Sequence, residues 1–285
     1  MAQQERPTTP NVRVLNAQDT PPEDSTSAVK VSQDLQRLML RMKGEFMDAE
    51  GAGVKYNDLK KAPIFSEYKK MAASLKTIDL EPLSVDERKV LFLNVYNVLT
   101  IHGLVDLDEI PTSVLNIQQF WKSTAYDIGG YVFTLDDIEH GILRANRGHP
   151  ASTHPQFGNT DPRLKFALKE VDPRIHFALV CGAKSCPAIN VYSEKNLDRA
   201  LEAAAKNFCH QEVTCHIKFN EIGLSKIFQW YREDFGKTDV DAIRWAMSYV
   251  CEDVQYGISL LLEKLEEEGK VEIKYRDYNW RLNKV

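Results

Sequence analysis

The sequence predicts an α+β fold, a single domain in which a modest mixed or antiparallel sheet is packed by many helices. Three observations carry this. Ser84-Val-Asp-Glu87 is a capping-box signature opening a helix that is apolar around most of its circumference. Strand-like runs are short and few, the clearest being a hairpin centred on Gly129-Gly130. Helical and strand patterns do not alternate regularly, so no doubly wound parallel sheet is expected.

Residues 1–27 are rich in Gln, Thr, Pro, Ser and Asp, lack apolar periodicity, and read as a disordered tail. Residues 28–84 read as a helical lead-in. Val31, Leu35, Leu38, Met39, Met42 and Phe46 recur at helical spacing between Val29 and Ala49, and a second helix covers about Ile64 to Thr77. The capped helix then runs to Val105. Inside its apolar surface sit Asn94, Asn97 and His102, which need buried partners. They either satisfy loop backbone or line a polar pocket.

After the hairpin, Thr134-Leu-Asp-Asp137 starts a helix reaching about Asn146, with Asp137, His140 and Arg144 on one stripe and Ile138 and Ile142 facing away. Residues 147–163 read as loop, with His149 and His154 solvated. Ile175 to Val180 reads as a short buried strand, ending in Cys181-Gly-Ala-Lys-Ser-Cys-Pro187. Strand alternation sets His176 on the face opposite Cys181. Ser193 is expected to cap a helix with Leu197, Ala200, Leu201, Ala204 and Phe208 on its core face. Thr214–Phe219 reads as a strand. Leu224–Phe235, Val240–Glu252 and Tyr256–Glu268 read as helices, and Val271–Tyr275 as a closing strand. Trp121, Trp230, Trp245 and Trp280 are read as core anchors.

The 285 residues carry a formal net charge of −5 with no basic patch, which argues against a nucleic-acid partner. No apolar run is long enough to span a bilayer, and no leader-like segment opens the chain. Five cysteines, an odd number in a chain this long, do not look like a disulfide framework. A reducing, cytoplasmic setting is expected, with an unidentified protein or small molecule as partner.

Together these pieces resemble the family known as domain of unknown function 547. The residues that carry the resemblance are Phe92-Leu-Asn-Val-Tyr-Asn97 with Thr100 and His102; Ile128-Gly-Gly; Leu135-Asp-Asp-Ile-Glu-His-Gly-Ile-Leu-Arg144; Asp172-Pro-Arg-Ile-His-Phe-Ala-Leu; Cys181-Gly-Ala-Lys-Ser-Cys-Pro187; and Tyr231 with Asp234-Phe235. Tyr278-Asn-Trp-Arg-Leu-Asn283 resembles the closing segment, with Asn279 where an acidic residue is more usual. The resemblance covers about residues 85–283 and implies that residues 85–285 form an intracellular α+β domain with its site at these motifs. It implies no reaction. The glutaredoxin-type Cys-Pro-x-Cys that some relatives carry in a separate module has no counterpart here.

Four readings of the thiol turn follow. In the first, Cys186 is a nucleophile for hydrolysis or acyl transfer. Its base is His140, oriented by Asp137, or alternatively His176, with Asn94 or Asn97 as orienting or oxyanion donor. His102, Arg144, Cys181 and Ser185 complete the candidate pocket. The helical turn that Pro187 suits would lower the thiol pKa. In the second, Cys181 and Cys186 exchange disulfides. In the third they form half a metal site, with Cys209-His210 or Cys215-His216 completing it; spacing does not fix such a set, so no metal or cofactor is assigned. In the fourth the cysteines are buried hydrophobes in a non-catalytic binding or scaffolding module, Cys181 ending a strand and Cys251 on a helical core face.

Overall fold

The structure, a computed structural model, describes residues 11–21 and 27–285. Most of the expected tail falls outside these residues. The part within them is tied down. β1 (Arg13–Val14) pairs in parallel with β2. The Asn16 amide donates to Ala72 O and Asp127 O and accepts from the Asp127 N–H. Order therefore begins before residue 28.

Ser27 caps α1 (Ala28–Phe46), whose Val31, Leu35, Met39 and Met42 are buried. An unpredicted short helix, α2 (Tyr56–Lys61), precedes the second predicted one, α3 (Pro63–Ser74), which has Pro63 at its first turn, where the missing N–H costs nothing, and continues as a 3₁₀ turn over Leu75–Thr77. The capping box at Ser84 forms and opens α4 (Val85–Val105), in which every residue from Val90 onward is buried. α4 is the axis of the larger core. α5 (Phe120–Ser123) leads into the hairpin of β2 (Thr124–Ile128) and β3 (Tyr131–Thr134), with Ile128 opposite Tyr131. Gly129 and Gly130 both have positive φ, +61° and +78°, as a two-residue turn matching strand twist requires.

The helix predicted after the hairpin is a π-helix over Asp137–Leu143. Arg144 N–H donates to Glu139 O and Asn146 N–H to Gly141 O, both five residues back. A wider turn breaks the expected three- and four-residue stripe. Gly141 permits it, because a Cβ there would lie 2.2 Å from the Phe157 ring.

The strand expected at Ile175–Val180 is absent. Pro173–Phe177 is a 3₁₀ helix capped by Asp172, followed by irregular chain. Pro173 at its first turn and the Asp172 side chain accepting from Arg174 N–H favour the helical start over extension. The Ser193 cap is also absent; α6 (Leu197–Glu212) begins after Asn196. β4 (Thr214–His216) pairs antiparallel with β5 (Glu221–Ser225), where helix was expected to start at Leu224. Then come α7 (Lys226–Trp230), α8 (Arg232–Phe235), α9 (Asp239–Met247) and α10 (Glu252–Glu268). β6 (Glu272–Arg276) closes parallel to β5.

The fold is thus α+β, with two small three-stranded mixed sheets and many helices. A second core gathers Phe177, Phe208, Phe228, Phe235 and Ile243 beside the larger one, and Tyr278 packs against both. No helix among the described residues is long and apolar enough to cross a membrane. Cys251 is exposed at the start of α10, not on a core face.

Candidate functional site

The thiol turn is held from three sides. Asn97 on α4 donates from Nδ2 to Ala178 O and accepts from Val180 N–H, both at 2.9 Å. One α-helical turn earlier, Asn94 does the same to Tyr192, donating to its O at 2.8 Å and accepting from its N–H at 3.0 Å. Each amide donates to and accepts from buried loop backbone, and neither lines the cavity beside the thiols, so they act as backbone clasps and not as oxyanion donors. The third tether is the C-terminal segment. Lys184 N–H donates to Arg281 O, Ser185 N–H to Asn279 O, and Asn279 N–H to Ser185 Oγ. Ser185 is therefore a strut, and the strut brings Tyr278 over the sulfurs.

Gly182, at φ +93°, turns the chain so that the thiols meet. Cys181 and Cys186 are free, half-buried and 2.9 Å apart at Sγ. Cys181 N–H donates to Cys186 Sγ at 3.2 Å, and Tyr278 Oη lies 3.4 Å from Cys186 Sγ and 3.8 Å from Cys181 Sγ. Burial pushes the Cys186 thiol up. Hydrogen bonds from the Cys181 thiol, Tyr278 and local backbone outweigh it, so the Cys186 thiol sits below its ordinary value. The Cys181 thiol, which shares its proton with Cys186 and is also desolvated, rises. Pro187 opens no helix, so this depression owes nothing to a helix dipole.

No imidazole lies within hydrogen-bonding distance of either sulfur among the described residues. His140 Nδ1 instead faces Arg144 Nη1 at 2.9 Å. The guanidinium can only donate, so Nδ1 is an acceptor. Burial, with Arg144, His149 and His176 nearby, holds the His140 pKa down to about 4 against the pull of Glu139. Asp137 does not orient it. Asp137 accepts from Thr134 N–H, Gln156 and Arg163 on the other side of the π-helix. The carboxylate beside His140 is Glu139, 3.8 Å from Nδ1 and bonded by Tyr231 Oη at 2.6 Å and Tyr96 Oη at 2.9 Å. Burial raises the Glu139 carboxyl, but His140, Tyr231 and Arg144 bring it below its ordinary value.

His176 is buried with its Nε2 2.7 Å from Asp234 Oδ2 and its ring stacked on Tyr231 at 4.0 Å. Asp234 is also gripped by Arg144 through Nε at 2.6 Å and Nη2 at 3.1 Å. Although burial opposes ionisation, His176 and Arg144 hold this carboxyl far below the usual range. His102 belongs elsewhere. Its Nδ1 meets Tyr126 Oη at 2.7 Å among Phe65 and Tyr68 in the larger core.

Cys181, Glu139, His140 and His176 line one cavity of about 490 Å³. Tyr96 from α4, the π-helix and the thiol turn thus converge there, although Cys186, Ser185, Arg144, Asn94, Asn97, Asp137 and His102 do not line it. Much of its wall is aromatic: Trp121, Trp230, Trp280, Tyr231 and Tyr278. Three of the four tryptophans read as core anchors are thus cavity walls; only Trp245 packs with the second core. His149, expected to be solvated, is exposed at the rim with its ring 5.3 Å from that of His140. Among the described residues no three His, Cys, Asp or Glu side chains are grouped to hold a metal ion.

Sequence reasoning missed Asp136, Glu139 and the tryptophans. A signal existed for Asp136 and Glu139, which lie inside the Leu135–Arg144 motif, and for Trp280, inside the Tyr278–Asn283 segment. Trp121 and Trp230 carried none, because α5 and α7 are remote in sequence.

Residues 80–209 match the family model described as "Protein of unknown function, DUF547", the family that the sequence motifs resemble. That span contains the π-helix and the thiol turn. Asp234 and Tyr278 lie beyond it. No curated protein and no solved structure matches the chain.

Proposed function

We propose that this chain, with its DUF547 match over residues 80–209, performs thiol–disulfide exchange through Cys181, which lines the aromatic cavity, and Cys186, whose sulfur lies beside it. The observation that carries the reading is the 2.9 Å approach of two free sulfurs with one thiol depressed and the other raised. A dithiol that exchanges needs one thiolate ready to attack and a protonated neighbour ready to resolve. The Cys186 thiolate attacks a substrate disulfide R–S–S–R′, forming a mixed disulfide and expelling R′–S⁻, which takes the Cys181 proton. The Cys181 thiolate then attacks Cys186 Sγ and expels R–S⁻. The dithiol becomes a disulfide as one substrate disulfide becomes two thiols.

The test is titration of the full chain in glutathione buffers of stepped potential, with intact mass and peptide mapping. A two-hydrogen loss localised to Cys181–Cys186, together with reduction of a model disulfide that Cys186→Ser abolishes, is expected. Full oxidation of the buffer without that bond sinks the reading.

A second reading is favoured by one observation. His176 is held by Asp234 at 2.7 Å and lines the same cavity as Cys181, so a carboxylate-oriented imidazole and a thiol share one space. This supports acyl transfer or hydrolysis with His176, not His140, as base. Labelling by an acylating probe that requires His176 but survives loss of the second cysteine would select it over exchange.

A further inference from the structure

The cavity has a charge pattern that sulfur chemistry does not call for. Asp136 is 7% exposed, lines the cavity, and makes no hydrogen bond among the described residues. A buried carboxylate without a partner is costly unless something else supplies the counter-charge. Glu139 adds a second acid to the same wall, and no lysine or arginine lines the cavity. Burial holds the pKa values of His140 and His149 down, and the third imidazole of the wall, His176, is committed to Asp234.

The rest of the wall is aromatic. Trp280 sits at ring-centroid distances of 6.0 Å from Trp121, 5.6 Å from Trp230 and 4.7 Å from Tyr278, so these rings form one cluster. An aromatic wall beside a carboxylate attracts a weakly hydrated cation through the ring quadrupoles. His149, Pro150 and Ala151 are exposed at the rim, so the space is reachable from solvent.

We propose that this cavity binds a small organic cation with an alkylated ammonium group, seated against Trp121, Trp230, Trp280 and Tyr278 with Asp136 as counter-charge. Burial and the neighbouring Glu139 push the Asp136 carboxyl up to about 7 against the pull of Lys122, which lies outside the cavity and forms no ion pair with it. The proposal stands apart from the exchange reaction, because none of its contacts requires a sulfur.

The experiment titrates choline and its neutral isostere 3,3-dimethylbutan-1-ol into the full chain at pH 8, following tryptophan fluorescence and heat. Choline is expected to give saturable binding at least about tenfold tighter than the alcohol, the size of a desolvated cation–π contact with a counter-charge. Asp136→Asn, which keeps the shape, is expected to erase that preference while leaving the alcohol unchanged; Trp280→Ala is expected to weaken both. Cys186→Ser is expected to bind choline as the native chain does, so failure of the exchange reaction leaves this result intact. Equal affinity for choline and the alcohol, or no saturable binding of choline, overturns the proposal.

Discussion

Asn97 joins the central helix to the thiol turn by a two-point amide–backbone clasp, donating to Ala178 O and accepting from Val180 N–H, each at 2.9 Å. The consequence is that α4 helps to set the position of the sulfurs, together with the turn at Gly182 and the C-terminal strut. Asn97→Ala would leave a buried carbonyl and a buried N–H unpartnered, a loss of roughly 2–6 kcal/mol at about 1–3 kcal/mol for each group. Urea unfolding monitored by circular dichroism checks it. Asn97→Asp, which keeps the acceptor but not the donor, should fall between.

Tyr278 should tune the Cys186 thiol. Its hydroxyl is 3.4 Å from that sulfur and contributes to holding its pKa down. Removing a donor from a thiolate raises its pKa, by about one unit for a long charge-assisted bond. The pH profile of iodoacetamide labelling at Cys186 should therefore shift upward in Tyr278→Phe. An unchanged profile would mean that Cys181 alone stabilises the thiolate.

What the sequence discloses and what it hides divides on physical lines. The Ser84 capping box and the Gly129-Gly130 turn are local chemistry, and both form as read. The π-helix is not local: Asp137 and His140 share a face only at 3.6 residues per turn, and hydrogen bonds five residues apart separate them. Ile175–Val180 has a strand's composition, but Asp172-Pro173 before it starts a 3₁₀ turn that apolar content does not reveal. The pairing of Cys181 with Cys186 could be weighed from spacing and glycine. The tyrosine above them could not, because residues 182–185 meet 279–283 only in the folded chain.

Asp234→Asn should be severely destabilising. Asp234 is buried and bonded by Arg144, Arg147 and His176, so neutralising it leaves the buried Arg144 guanidinium without its anion. Removing one partner of a buried ion pair costs about 3–5 kcal/mol. The double variant Asp234→Asn/Arg144→Met should recover part of that loss, because the stranded charge is gone. Thermal unfolding of the four chains in the cycle gives the coupling directly.

Acid should destabilise the protein through His102. Burial, with smaller contributions from Lys69 and Arg13, lowers the His102 pKa from an ordinary 6.5 to about 3. The unfolded chain therefore binds a proton at this site that the folded chain refuses between those limits. Stability from His102 is complete above pH 6.5 and is lost as pH falls toward 3, by about 1.4 kcal/mol per pH unit. His140 adds to the trend down to about pH 4. Asp136 opposes it: raised to about 7 from 3.8, it binds its proton more readily folded and so favours the fold as pH falls through 7. The total slope mixes these groups, but a difference between variants does not. Native and His102→Gln chains, unfolded in urea at pH 7.5, 6 and 5, should diverge progressively, with the variant losing less stability on acidification. Parallel curves would show that this imidazole is not held neutral by its place between Tyr126 and Phe65.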